Sequence, residues 1–203
     1  MNALDLKTEA LCWLRFRARM LYVATEVAYA DVLACDEKRS IEIEVKTTFA
    51  DLRADFQKPK HRQYGKPQPE VPLPHVHPNP LEPNQFYFLV PCDLEERAQK
   101  HLEELGSFAG LMVAKPNPYG KPELTILRTA KKLHARPPCD AMKRQLLMRM
   151  GSEICRARMA QAKFFREQAT NFAGGQHLLS EALIARLGER IDLPSPTAEE
   201  TKS

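Results

Sequence analysis

Asp31, Glu44 and Lys46 are the residues of this chain whose types and spacing could do chemistry. In the run Ser40-Ile-Glu-Ile-Glu-Val-Lys46, the alternation of a strand puts Ile41, Ile43 and Val45 on one face and Glu42, Glu44 and Lys46 on the other. A carboxylate then stands beside an ammonium. Ala30 to Cys35 reads as a partner strand and Asp36-Glu-Lys-Arg39 as a tight turn, an antiparallel hairpin that sets Cys35 opposite Ser40 and Asp31 opposite Glu44. Directly opposed residues have Cβ atoms about 4.5–5.5 Å apart, and like charges there repel unless something offsets them. Mg²⁺ or Mn²⁺ would do so, with Asp31, Glu44 and the Val45 carbonyl as oxygen ligands. Such an ion lowers the pKa of a bound water and neutralises charge developing on a phosphodiester oxygen. Lys46 would orient that water or stabilise the transition state. An isolated Glu-x-Lys is more often the merely charged outer face of a half-exposed strand; the pairing with Asp31 weighs against that reading.

The elements that must position these residues follow from pattern. Leu4 to Met20 mixes Leu11, Leu14 and Ala18 with charged residues at helical spacing. Leu21 to Ala28 and Ala30 to Cys35 read as extended, and Ser40 to Lys46 as a strand. Thr48 caps a helix to Phe56, with Asp51 in its first turn. Residues 57–83 hold eight prolines, which rules out a packed helix or central strand and predicts a long irregular loop. Its His75 and His77 have no matching second pair nearby, which makes a metal pair the weaker reading. Gln85 to Val90 is a buried-strand signal, Asp93 to Leu105 a helix, Ala109 to Ala114 a strand and Leu124 to Leu127 an edge strand. Cys139 to Gln168 is helical, a break is expected at Asn171 to Gly175, and Leu178 to Leu187 forms a second helix. The expected class is α/β, with one mixed sheet at 1–137, a helical appendage at 138–190 and a disordered tail at 191–203.

Thirty Lys and Arg against 26 Asp and Glu leave a net charge of only +4, so overall charge argues weakly for nucleic acid. Local charge says more: Gln57 to Lys66 carries Lys58, Lys60, Arg62 and Lys66 with no acid, and Leu127 to Leu147 carries six Lys or Arg against Asp140. Five scattered cysteines without a Cys-x-x-Cys fit free thiols in a reducing cytoplasm. No run approaches the ~20 apolar residues that span a membrane, so the expectation is a cytoplasmic protein without a membrane partner.

The string Ala30-Asp31-Val32 … Ile43-Glu44-Val45-Lys46-Thr47, with a helix before it and helix–strand after it, resembles the PD-(D/E)XK phosphodiesterase superfamily. The blocks Asp51-Leu-Arg-Ala-Asp55-Phe-Gln-Lys58-Pro-Lys60-His61, Pro83 to Pro91, Ala109 to Met112 and Lys131-Lys-Leu-His134 resemble its MmcB-type DNA-repair and phage-encoded nuclease-like members. The likeness runs from about Leu21 to Arg136. It implies a restriction-endonuclease-like core in which Asp31 and Glu44 hold Mg²⁺ and Lys46 assists the attacking water. A further acid from Glu9 or Glu26 is implied, with the choice between them open. Lys58, Lys60 and His61, together with Lys131 and Lys132, become candidate DNA contacts, and DNA the expected partner in repair, recombination or phage replication. A non-catalytic nucleic-acid-binding or partner-binding module on the same scaffold is the alternative, and the helices after Pro138 are a candidate homo-oligomer contact.

Overall fold

The computed structural model describes residues 1–27, 30–64, 81–118 and 122–188, without the side chains of 62, 63 and 169–188. Most of the expected proline-rich loop, His75 and His77 included, and the tail at 191–203 lie outside the described residues. The chain divides into two units, Met1–Glu153 and Ile154–Ser203.

The first unit is an α/β domain around an open six-stranded mixed sheet, ordered β1 (Tyr22–Val27), β2 (Ala30–Cys35), β3 (Ser40–Val45), β4 (Gln85–Pro91), β5 (Gly110–Pro116), β6 (Pro122–Arg128). β1, β2 and β3 form an antiparallel meander, β4 and β5 run parallel to β3, and β6 returns antiparallel on the far edge. The turn between β2 and β3 closes because Asp36 accepts hydrogen bonds from the Lys38 and Arg39 amides at 2.7 and 2.8 Å, an Asx arrangement. It fixes Cys35 opposite Ser40 and Val32 opposite Ile43, the register the alternation requires.

Alternate residues of β4 belong to different cores, which identifies the two covered faces. Tyr87 and Leu89 pack with Val32, Ala34, Ile41, Ile43 and Val45 under α1 (Ala3–Cys12), whose Leu6 and Ala10 are buried. Phe86, Phe88 and Val90 pack against α2 (Phe49–Asp55) and α4 (Glu95–Glu104) through Leu52, Ala98 and Leu102. A third cluster, Ala24, Leu33 and Cys35, is covered by Met142 and Leu146 from the start of α5 (Asp140–Gly188). Every residue of β3 is buried, so Glu42 and Glu44 are not the outer face of a half-exposed strand.

Three local features depart from the pattern reading. α1 ends at Cys12 and continues as a π-helical turn, Trp13–Arg17, closed by the Ala18 amide donating to the Trp13 carbonyl at 2.9 Å, because Arg19 in the left-handed region (φ 58°) stops the helix there. Within the proline-rich stretch Pro59–Gln63 is helical, α3; Pro59 stands at its first position, where the missing amide costs nothing. α5 runs through the adjacent Gly174 and Gly175 without the expected break; a glycine in a helix interior costs only about 1 kcal/mol. In the second unit that helix bears exposed Met159, Phe164 and Phe165. No helix among the described residues is long and apolar enough to cross a membrane.

Candidate functional site

β3 delivers Glu42 and Glu44 to the face that carries α2 and α3, since they pair across the parallel ladder with Phe86 and Phe88. Lys46 follows at the strand's end, its amide donating to the Leu89 carbonyl at 2.9 Å. Its ammonium lies 3.0 Å from Glu44 Oε2 and 2.7 Å from Asp55 Oδ1, with only 8 % of its side chain exposed. Asp55 is presented by the last turn of α2, a helix capped by Thr48. α3 then returns Lys60 over the strand: its ammonium is 3.0 Å from Glu42 Oε1 and 2.5 Å from Glu44 Oε1. Lys58 pairs with Asp55 and lies 4.0 Å from Glu44. The Tyr64 hydroxyl donates to Glu42 Oε2 at 2.9 Å. Three carboxylates thus face three ammonium ions in a mostly buried cluster. Such a cluster is held in place less by net Coulomb energy than by the penalty of stranding any one charge.

The titration of these groups follows from that packing. Burial opposes the charged form of Lys46, but the hydrogen bond to Asp55 and the charge of Glu44 outweigh it and hold the ammonium above the ordinary lysine range. Lys60 behaves alike, burial being outweighed by Glu42 and Glu44. Burial raises Glu42 and, with the neighbouring Glu42, raises the Tyr64 phenol. Asp55 is buried too, yet hydrogen bonds from His61, Lys46 and Lys58 bring it well below the carboxylate range. Lys46 is therefore a proton-bearing donor at neutral pH and not a base.

Asp31 sits at the end of the β2–β3 ladder. Its Oδ2 accepts the Val45 amide at 2.9 Å, which sets the carboxylate against the peptide that follows Glu44. The other oxygen is 2.8 Å from Lys7 of α1. Ala30 joins the cluster of Leu33 and Cys35 and not that of Val32 and Ala34, so the alternation slips by one at Asp31. The acid is approached from the α1 layer while Glu44 is approached from the α3 layer. Lys7 also pairs with Glu26, whose backbone is left-handed (φ 53°), a conformation that a non-glycine residue adopts only at a cost. Of the two candidate extra acids, Glu26 thus neighbours Asp31 through Lys7; Glu9 stands on α1 two residues from Lys7.

No family model, curated protein or solved structure matches the chain.

The remaining candidates occupy a second place. Lys131 and Lys132 are exposed and line a cavity of about 570 Å³ with Phe56, Tyr64, Phe108 and Leu133. Their segment is tied to the start of β3 by buried Asn84, which accepts from the Ser40 amide at 2.7 Å and donates to the carbonyls of His134 and Arg136 at 3.0 and 2.8 Å. Tyr64 touches both places. Lys58, Lys60 and His61 are brought to Glu44 and Asp55. Sequence reasoning missed Lys7, Glu42, Tyr64 and Asn84 as parts of the site. Glu42 alone carried a signal, being in phase with Glu44 and Lys46.

Proposed function

We propose that the protein is a metal-dependent phosphodiesterase acting on DNA, built on the PD-(D/E)XK plan that its sequence resembles. The observation that carries this reading is the Lys46 ammonium fixed between Glu44 and Asp55 at the end of β3, with the Asp31 carboxylate on the adjoining peptide. The order helix, three antiparallel strands, helices and a strand parallel to the third supports the same plan. Asp31, Glu44 and the Val45 carbonyl are all oxygen donors, the type that Mg²⁺ or Mn²⁺ takes, and an ion held by them would take the place of the ammonium ions of Lys7 on Asp31 and Lys60 on Glu44. When bound, the ion supplies Lewis acidity, activating water and neutralising charge on the scissile phosphate.

The chain's own residues do the rest. Lys46, kept protonated by Asp55, donates to the attacking water or to a phosphate oxygen and is worth roughly 10²–10³ in rate. Asp55 is a positioning residue that acts through Lys46. Lys58, half exposed, and exposed Lys131 and Lys132 contact backbone phosphates, which fixes position and not sequence. Incubating several DNA forms with and without Mg²⁺, with Asp31→Asn, Glu44→Gln and Lys46→Met beside the wild type, tests the reading: cutting that needs the ion and is lost in each folded variant supports it, and equal cutting by the variants refutes it.

A second reading has its own observation. Both acids already bear internal cations, Lys7 on Asp31 and Lys60 on Glu44, which favours a scaffold that holds DNA or a partner without cutting. Binding would then weaken steeply with salt, depend on Lys58, Lys131 and Lys132, and ignore Asp31→Asn.

A further inference from the structure

His61 is the buried group that the phosphodiesterase reading leaves without a task. Its ring is enclosed by Phe86, Tyr64 and Phe88, with centroids 4.6, 5.5 and 6.1 Å away, and the residue is only 4 % exposed. Nδ1 lies 2.9 Å from the Asp55 carbonyl oxygen and 2.7 Å from Asp55 Oδ2. Both of those atoms are acceptors, so Nδ1 carries a proton, and in the neutral ring Nε2 bears the lone pair. Nε2 is buried and has no partner among the described residues. A box of aromatic rings alone would leave that lone pair uncompensated.

One ligand atom from each of His61, Glu42 and Glu44 lies within 4.8 Å of the others, and all three residues are buried. An imidazole whose second nitrogen is held by a backbone carbonyl, here with a carboxylate beside it, is a usual support of a histidine metal ligand, because it fixes the tautomer and leaves the other nitrogen to the metal. One nitrogen and two carboxylate oxygens suit a borderline dication better than Mg²⁺, which prefers oxygen alone. The Lys60 ammonium bridges Glu42 and Glu44, so the pocket already holds a cation.

We propose that His61, Glu42 and Glu44 form a Zn²⁺ site in which the metal displaces the Lys60 ammonium from the two glutamates. The site differs from the oxygen-only set of Asp31, Glu44 and Val45, and it stands whether or not the chain cuts DNA. The glutamates keep one cation in either state, and Lys60, released, swings towards solvent on a side chain already 20 % exposed.

The test titrates the full chain with Zn²⁺ by calorimetry and replaces it with Co²⁺ for proton NMR. One equivalent should bind, and the Co²⁺ form should show a hyperfine-shifted, exchangeable imidazole proton, the Nδ1 proton held by Asp55. Lys60→Met, which removes the competing ammonium and no ligand, should tighten Zn²⁺ by roughly tenfold or more. Glu42→Gln should weaken it, and Asp31→Asn should leave the imidazole signal in place. Absence of that signal from the wild type, a Lys60→Met variant that binds no more tightly, or a signal lost in Asp31→Asn yet kept in Glu42→Gln would overturn the site. Mg²⁺-dependent cleavage is scored separately: cutting without the imidazole signal removes this site and leaves the hydrolytic reading standing, whereas the signal without cutting supports the site alone.

Discussion

Asp55→Asn is the substitution that most sharply probes the buried charge cluster. The amide keeps the shape but removes the charge that faces Lys46 at 2.7 Å, Lys58 and His61. Lys46, whose side chain is 8 % exposed, is left with Glu44, which also serves Lys60. Removing one partner from a buried ion pair costs about 3–5 kcal/mol, and the retained hydrogen-bonding amide places this variant near about 3. Urea unfolding followed through the single tryptophan, Trp13, which packs against the α1 core, should move the midpoint down by roughly 1–2 M at an ordinary denaturant dependence of about 2 kcal/mol/M. The pH dependence carries the sign. Asp55 is held below its ordinary carboxylate value by its cationic partners although burial opposes this, so its contribution is present above about pH 4 and fades as pH falls towards its folded value. Glu42, raised by burial, contributes in the opposite sense but is common to both proteins and cancels in the difference. The gap between wild type and variant should therefore be widest near neutrality and narrow steadily below pH 4. A gap under about 1 kcal/mol at pH 7, or one that does not narrow in acid, would refute the account of the cluster.

Other outcomes follow from single contacts. Gly110→Ala would place a Cβ 2.4 Å from the Tyr87 ring and 2.7 Å from the Ala130 backbone nitrogen, between β5 and the strand beside it; it should cost about 2–3 kcal/mol in urea unfolding, and a neutral result would mean that Tyr87 repacks. Burial pushes the Cys35 thiol up to about 12, so at pH 8 a thiol reagent should modify exposed Cys92 and Cys155 quickly and Cys35 only on unfolding. Equal rates for the three would contradict the packing of Leu33 and Cys35 beneath α5. Lys46 and Lys60 are both held above the ordinary lysine value, so their share of stability is complete below about pH 10.5 and disappears above it. The stability gap between wild type and Lys46→Met should accordingly be constant up to about pH 10 and narrow above it in urea unfolding; a gap that widens in base would contradict this.

Much of the fold was legible because binary pattern and turn chemistry agreed. Val32, Ala34, Ile41, Ile43 and Val45 form one core face as alternation requires, and Asp36 closes the hairpin in the only register that buries them together. Thr48 capping α2 and β6 on the edge were readable in the same way. The candidate site was legible in part. Glu44 beside Lys46 follows from a period of two, but Asp31 escapes it: the left-handed Glu26 and the slip at Ala30 are decided by a neighbouring strand, and Lys7 reaches Asp31 from an element 24 residues earlier in sequence. The lysines over Glu44 come from α3, a five-residue helix too short to leave a periodic signal and hidden among prolines. Long lysine side chains find their carboxylates only once the sheet is built. Asn84, which binds Ser40 on one side and the 134–136 carbonyls on the other, is similarly invisible to any local window.

The central claim is that the charged end of β3 is a cation-dependent phosphodiester-cleaving centre, and the most direct measurement is single-turnover cleavage of end-labelled DNA in saturating Mg²⁺ by wild type and by Glu44→Gln, with folding of both checked by circular dichroism. The account predicts metal-dependent cutting by the wild type and a fall of roughly 10³-fold or more in the variant, the scale of losing a group that stabilises the transition state. A folded wild type that cuts no DNA form, or a Glu44→Gln protein that cuts as fast, would contradict it.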